Sequence, residues 1–383
     1  MCGIVGLHLR DPALHPQLGA LLTGMLDRMC DRGPDSAGMA VYGDPTWSPP
    51  GTVTVSLLDS PLQAAELAEK LTATLGIPVT AMDLTPTIVL HAPSADLSPE
   101  EQAGTALSVS RAPSPGAGQG SVPELSTGRP GPPGEWGVAQ GAARDPRVPP
   151  TAGVPQGADS LVEASVSTPI PDGSSAGVRV EDLVRAVREV APGARVIGFG
   201  SDLAVFKGVG NPTELAQRFG LPRAQGWQGV AHTRMATESA VTAEGSHPFS
   251  VGPGQCLVHN GSFSNHMSIK HELQRAGIEF DSENDTEVGA RFVARQLAQG
   301  ADLEKSLLLL NDVFDGFYTL LVSTSDSFAV VRDAIACKPA VIAETDRWVA
   351  MASEYRALAD LPGVEHARIF EPEPEEVYVW RRS

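Results

Sequence analysis

A cysteine stands directly behind the initiator methionine in MCGIVGLHLR, where a thiol could become a nucleophile. If Met1 is removed, as the small Cys2 side chain permits, one residue carries both a thiol and an α-amine. An α-amine with a pKa near ~7.7–8.0 is well matched to a thiol of ~8.5, so it can act as the thiol's base without a separate histidine. Taken alone, Cys2 also reads as a small apolar residue opening a buried strand. A carbonyl attacked by the thiolate needs donors for its oxyanion. The stretch QCLVHNGSFSN offers them in Asn260-Gly261, as a side-chain amide and a backbone N–H at the end of an apolar strand. The same dipeptide is a common hairpin turn, and that reading stays open.

Two further residues have the chemistry to grip a charged substrate. In GVAHTRMATES, Arg234 lies just past a strand, where its guanidinium fork suits a carboxylate or a surface ion pair. In ENDTEVGAR, Asp285 could hold an ammonium, although Asp285 or Asn284 could instead cap the helix that follows. Five of the nine histidines fall between 232 and 271 (His232, His247, His259, His266, His271). Their spacings match no zinc pattern and no cysteine joins them, so turn and pocket-wall roles are expected and no metal. GFGSDL and KGVGNP lack the dinucleotide fingerprint and read as turns, and no phosphate-binding P-loop occurs.

The elements that must position these residues follow from periodicity. Strands are expected at GIVGLHL, MAVYG, TVTVSLLD and PTIVLHAP, and helices at HPQLGALLTGMLDRMC and LQAAELAEKLTATL. Leu18, Leu21, Leu22, Met25, Leu26 and Met29 give the first helix one buried face, and Asp31-Arg32-Gly33-Pro34 stops it. From 93 to 177 the pattern dissolves, with Gly and Pro at about 30% of positions, and a disordered insertion is expected there. Order resumes with the helix VEDLVRAVREVA and the strands RVIGFGS and LAVFKGVG. It continues through GVAHTRMAT and QCLVHNG, helices over 264–276 and 286–298, the helix LEKSLLLLNDVF, and hairpins at FYTLLVSTSDSFAVVRD and PAVIAETDRWVAMASE. Such irregular alternation points to a mixed α+β layered domain rather than a parallel doubly wound sheet.

The totals set outer limits. A chain of 383 residues with 42% hydrophobic and 19% charged residues has the composition of a globular protein. A net charge of -18 argues against nucleic acid or an anionic membrane as partner. No apolar run approaches the roughly 20 residues of a membrane span. The N-terminus lacks a secretory leader, and the four cysteines are widely spaced, so a reducing, cytoplasmic location is expected.

Taken together, an N-terminal Cys, R-G-P-D-S-A-G, H-T-R-x-A-T, S-H-P-F, H-N-G and N-D-T-E, in that order, form a specific constellation. Through it the chain resembles the class II glutamine amidotransferases, a family of N-terminal-nucleophile hydrolases, over about 1–60 and 180–360. The resemblance implies a four-layer αββα sandwich, with the amidotransferase domain over 2–383 and the insertion at 93–177. It implies that Cys2 forms a γ-glutamyl thioester and that Asn260 and Gly261 are the oxyanion pair. It further implies that Arg234 holds the glutamine α-carboxylate and Asp285 its α-ammonium. Thr237 and His247 would belong to the pocket wall and closing loop, with Arg32 and Gly33 in the turn beside the nucleophile. Met235 stands where glucosamine-6-phosphate synthases have a tryptophan, and Glu238-Ser239 replaces the residue-plus-glycine usual after the threonine. The implied reaction takes L-glutamine and water to glutamate and ammonia without a cofactor. With no synthase domain evident in the chain, a separate synthase subunit is the expected ammonia acceptor. Among stand-alone relatives the chain is most similar to amidotransferase subunits of glutamate synthase-like complexes, the N-methylglutamate synthase type included. A glutaminase working alone and a silent glutamine-binding module are the other readings.

Overall fold

The computed structural model describes residues 2–96, 177–235 and 241–382. The expected insertion at 93–177, apart from 93–96 and 177, and Thr237 lie outside the described residues.

Strict alternation governs the central strand β1 (Gly3–Leu9). Val5, Leu7 and Leu9 pack with the helix α1 (Leu18–Asp27), whose Leu18, Leu22, Met25 and Leu26 are buried. Ile4 and Gly6 face the other way, onto Leu321 and Phe328 of a second sheet. A Cβ on Gly6 would meet the Leu321 side chain at 2.5 Å, so glycine permits the close approach of the two sheets.

β1 is paired antiparallel on both sides, with β8 (Gln228–Arg234) and β13 (Trp348–Ala352). The sheet extends through β2 (Ser36–Tyr42) to β7 (Leu203–Val209) at one edge, and through β12 (Val341–Glu344) to β14 (Arg368–Phe370) at the other. The second sheet runs β15 (Val377–Arg381), β11 (Ser327–Arg332), β10 (Gly316–Ser323), β9 (Cys256–Phe263), antiparallel throughout.

An apolar core of Ile4, Tyr42, Val230, Met351, Val258, Leu321 and Phe328 lies between the sheets. On the outer face of the first sheet lie α1 and α4 (Pro212–Phe219). The outer face of the second is covered by α5 (His266–Arg275), α6 (Asp285–Ala298) and α7 (Leu303–Val313). The order helix, sheet, sheet, helix is the expected αββα sandwich.

Several local features differ from the sequence reading. The helix expected from His15 begins as 3-10 turns over Pro12–Gln17, with Pro16 inside them, and the α-helix proper starts at Leu18. Helix α4, for which the sequence reading assigned no element, has a complete start signal: Asn211 accepts from Thr213 N and Glu214 N, Pro212 follows, and Gly220 ends it at φ +79°. The C-terminal run EPEPEEVYVWRRS, assigned no strand from the sequence, supplies β15, which pairs with β11. Asn260-Gly261 is no hairpin turn, since β9 runs on to Phe263 in register with β10.

A third sheet was not foreseen. It orders β4 (Thr80–Leu84), β5 (Thr87–Pro93), β3 (Thr52–Leu58) and β6 (Arg195–Gly200). Helices α2 (Ala64–Leu75) and α3 (Val180–Val190) close it, with a core of its own around Val55, Leu67, Leu71, Leu90, Leu183 and Val187.

Candidate functional site

Parity along the strands brings the candidate residues to one end of the layer between the sheets. Ile4 faces that layer, and Cys2 is two residues earlier on the same side. Gly3 pairs with Thr233, which sets Arg234 at the end of β8 beside Cys2. Cys256 and Val258 point from β9 into the same layer, so Asn260, two residues on, points there as well. Asn260 is buried, and its Nδ2 lies 3.4 Å from the Cys2 carbonyl oxygen, while Cys2 Sγ lies 4.0 Å from the Met235 carbonyl oxygen.

Glycine is required at the next position. Gly261 has φ +145°, and a Cβ there would lie 2.0 Å from the Phe317 carbonyl oxygen of the neighbouring strand. Gly33 is equally constrained, since a Cβ would fall 2.6 Å from the Arg234 backbone. That turn docks on β8 through Asp35 N, which donates to Arg234 O at 3.1 Å.

Asp285 reaches the site from the first turn of α6. Asn284 takes the cap, its side chain accepting from Thr286 N at 2.9 Å, so the carboxylate of Asp285 is not used on its own helix's cap. Asp285 Oδ2 instead accepts from Phe263 N at 2.9 Å, tying the helix to β9 just beyond Gly261. The candidate residues Cys2, Arg234, Asn260, Gly261 and Asp285 thus lie toward the facing ends of β1, β8, β9 and α6.

His247 sits deeper. It is buried against His232, with ring centroids 4.2 Å apart, and its Nε2 lies 2.9 Å from Thr286 Oγ1. His259 Nδ1 meets the same hydroxyl at 2.9 Å. A hydroxyl has one proton to give, so at least one of the two imidazoles must donate to it. Burial lowers all three rings: His232 to about 3, helped by His259 and Arg234; His247 well below its ordinary value, helped by His232 and His259; and His259, which Asp285 partly restores. All three are therefore neutral near pH 7, and none is a cation beside Cys2.

The main chain of the first residues is held by side chains from distant parts of the sequence. Arg32 Nε donates to Cys2 O at 3.0 Å, and Arg32 Nη1 is paired with Glu354. Gly3 N donates to Thr233 Oγ1 at 3.1 Å and Ile4 N to Ser353 Oγ at 2.9 Å. Sequence reasoning missed Glu354 and Thr286. Nothing local marks either, because each acts through partners brought close only by the fold. Among the described residues no cluster of His, Cys, Asp and Glu is arranged to hold a metal ion.

A sulfur nucleophile candidate beside an amide donor, with a guanidinium and a carboxylate nearby, can attack an amide carbonyl in a zwitterionic substrate. Comparison with known proteins agrees in kind. The profile of the glutamine amidotransferase domain matches residues 222–372. A glutamine amidotransferase-like protein, GlxB of Rhizobium meliloti, is 39% identical over 381 residues, covering 99% of this chain and 98% of that protein. The glutamine–fructose-6-phosphate aminotransferase of Mycolicibacterium smegmatis is 33% identical over 147 residues, covering 37% of this chain but 23% of that one. Among solved structures, a glutamine phosphoribosylpyrophosphate amidotransferase from B. subtilis aligns with TM-score 0.39 and 27% identity over 47% of this chain and 40% of that chain.

Proposed function

Because the chain belongs to the glutamine amidotransferase family, we propose that it hydrolyses L-glutamine to glutamate and ammonia through Cys2. The observation that carries this reading is the convergence of Cys2, Arg234 and Asn260 on the inward faces of two packed sheets. Once Met1 is removed, the Cys2 α-amine takes the thiol proton, and Sγ attacks the side-chain carboxamide carbon. Burial makes the imidazoles of His232, His247 and His259 weak bases, which leaves the amine as the base of choice near pH 7.

The tetrahedral oxyanion is stabilised by the Asn260 amide and the Gly261 N–H. The C–N bond then breaks, the ammonium of Cys2 returns its proton to the departing nitrogen, and a γ-glutamyl thioester remains. Water, deprotonated by the same amine, cleaves the thioester to glutamate and restores the thiol. Arg234 pairs with the substrate α-carboxylate and Asp285 with its α-ammonium. His247 contributes to the pocket wall.

The catalytic domain is read as 2–383, with the Pro/Gly-rich segment 93–177 inserted between β5 and α3. Ammonia is largely protonated at neutral pH, so a productive enzyme hands it to an acceptor. That acceptor is proposed as a separate synthase subunit of the glutamate synthase-like type. The proposed compartment is the cytoplasm; among the described residues, no helix is long and apolar enough to cross a membrane.

Kinetics on Asn260→Ala test the assignment. A fall in kcat of about 10²–10³-fold with little change in KM is expected, the usual effect of removing one oxyanion donor. Parent-like turnover in that variant would sink the proposed role of Asn260.

A further inference from the structure

We propose that Glu354 is a positioning residue for the nucleophile: it holds Arg32, and Arg32 holds the main chain of Cys2. The inference rests on the glutaminase reading above for what Cys2 does, and adds how Cys2 is kept in place. Removal of Met1 would leave Cys2 as the terminal residue, and chain termini fray unless tied down. β1 begins only at Gly3, so the ladder itself does not secure Cys2.

What secures it is a side-chain clamp. Arg32 is buried in the 3-10 turn Cys30–Arg32 and donates from Nε to the Cys2 carbonyl at 3.0 Å. Its Nη1 pairs with Glu354, while Nη2 is buried with no hydrogen-bond partner among the described residues. A guanidinium so enclosed needs a counter-charge, and leaving one uncompensated is strongly unfavourable. Glu354 supplies it from a position fixed in two ways. Its neighbour Ser353 is bonded to Ile4 in both directions, Ile4 N to Ser353 Oγ at 2.9 Å and Ser353 N to Ile4 O at 3.0 Å. The other carboxylate oxygen of Glu354 accepts from Arg356 Nε at 2.7 Å, and Arg356 in turn lies 3.5 Å from Asp31, the residue before Arg32.

The chain Asp31–Arg356–Glu354–Arg32–Cys2 therefore joins the turn after α1 to the end of β13 and fixes both against the first residue. The fork geometry matters as much as the charge, since Nε and Nη1 must face different partners at once. Because the Glu354 carboxylate is bonded to Arg32 and Arg356 rather than to Cys2 or the proposed glutamine-binding residues, its removal should disturb the attacking group and spare substrate affinity.

The test compares the full-length parent with Glu354→Ala and Glu354→Gln. It measures glutamine turnover and the rate at which a glutamine-analogue diazoketone alkylates Cys2, each normalised to the number of labelled sites. Glu354→Ala should lower kcat and the alkylation rate together by about tenfold to a hundredfold, the scale of a small misplacement of reacting groups. KM should stay within about twofold. Glu354→Gln, which keeps an oxygen for Arg32, should recover part of both losses. Parent rates per labelled site in Glu354→Ala would overturn the proposal, including where fewer sites label because some chains are unfolded. A parent chain that neither hydrolyses glutamine nor labels at Cys2 would instead overturn the glutaminase reading, and this inference with it.

Discussion

Lys207 lies on the face of β7 toward the inter-sheet layer, and its burial takes an ammonium out of water. The Nζ sits over the Phe249 ring at 4.6 Å, with the Glu244 carbonyl 3.5 Å away. Burial pushes its amine down to about 8, against a partial pull upward from nearby acidic groups. The folded state thus disfavours the charged form. Below pH 8 that cost is present in full, and it fades as pH rises from 8 toward the unfolded value of 10.5. Lys207→Met, similar in length and apolar, should therefore be more stable than the parent at pH 7 by roughly 1–3 kcal/mol. Chemical denaturation at several pH values checks this: the advantage should be level below pH 8 and shrink above it, and equal stability at pH 7 would contradict the account. At this scale the sequence was informative where a residue's own chemistry is rare. Cys2 behind Met1, Arg234 and Asp285 were candidates by type and spacing, with buried-strand, ion-pair and capping roles open beside them. Lys207, Thr286 and Glu354 could not, because their roles come from burial and partners far away in the chain.

Among the elements, α6 carries the clearest consequence. The run Asn284-Asp285 left open which residue caps and which faces the site; the structure gives the cap to Asn284 and turns Asp285 to Phe263 N. Asn284→Ala should cost about 1 kcal/mol, the usual worth of a cap. By loosening the first turn it should also raise KM for glutamine through Asp285 more than it lowers kcat, which steady-state kinetics beside thermal melts would show. Most elements were legible because their apolar periods are strong, as in α1 and in the hairpins β10–β11 and β12–β13. The misses have physical causes. β4 is short and half-exposed, so alternation hardly marks it, and β15 draws its stability from pairing with β11 rather than from its own composition. The third sheet was invisible as a unit because its strands flank the segment at 93–177, and which strands pair is a long-range fact.

Over the whole molecule, the candidate site is assembled from the beginning, middle and end of the sequence: Cys2 and Arg32, then Arg234 through Asp285, then Glu354. Cooperative folding of the sandwich is thus a condition of the chemistry, and only the recurrence of several short motifs in order linked these parts at the level of sequence. The four cysteines sit in distinct surroundings. Cys256 is buried, its thiol pushed up to about 12, Cys337 is exposed, and Cys30 lies 3.0 Å from Thr213 Oγ1. A general thiol reagent would therefore also report on Cys337, and a glutamine-shaped electrophile is the right probe. The most direct test is the intact mass of the purified chain before and after exposure to a glutamine-analogue diazoketone, with Cys2→Ala alongside. The account predicts a chain lacking Met1 that gains a single adduct, lost in Cys2→Ala and blocked by excess glutamine. A chain that hydrolyses glutamine while retaining Met1, or one that labels equally in Cys2→Ala, would contradict it.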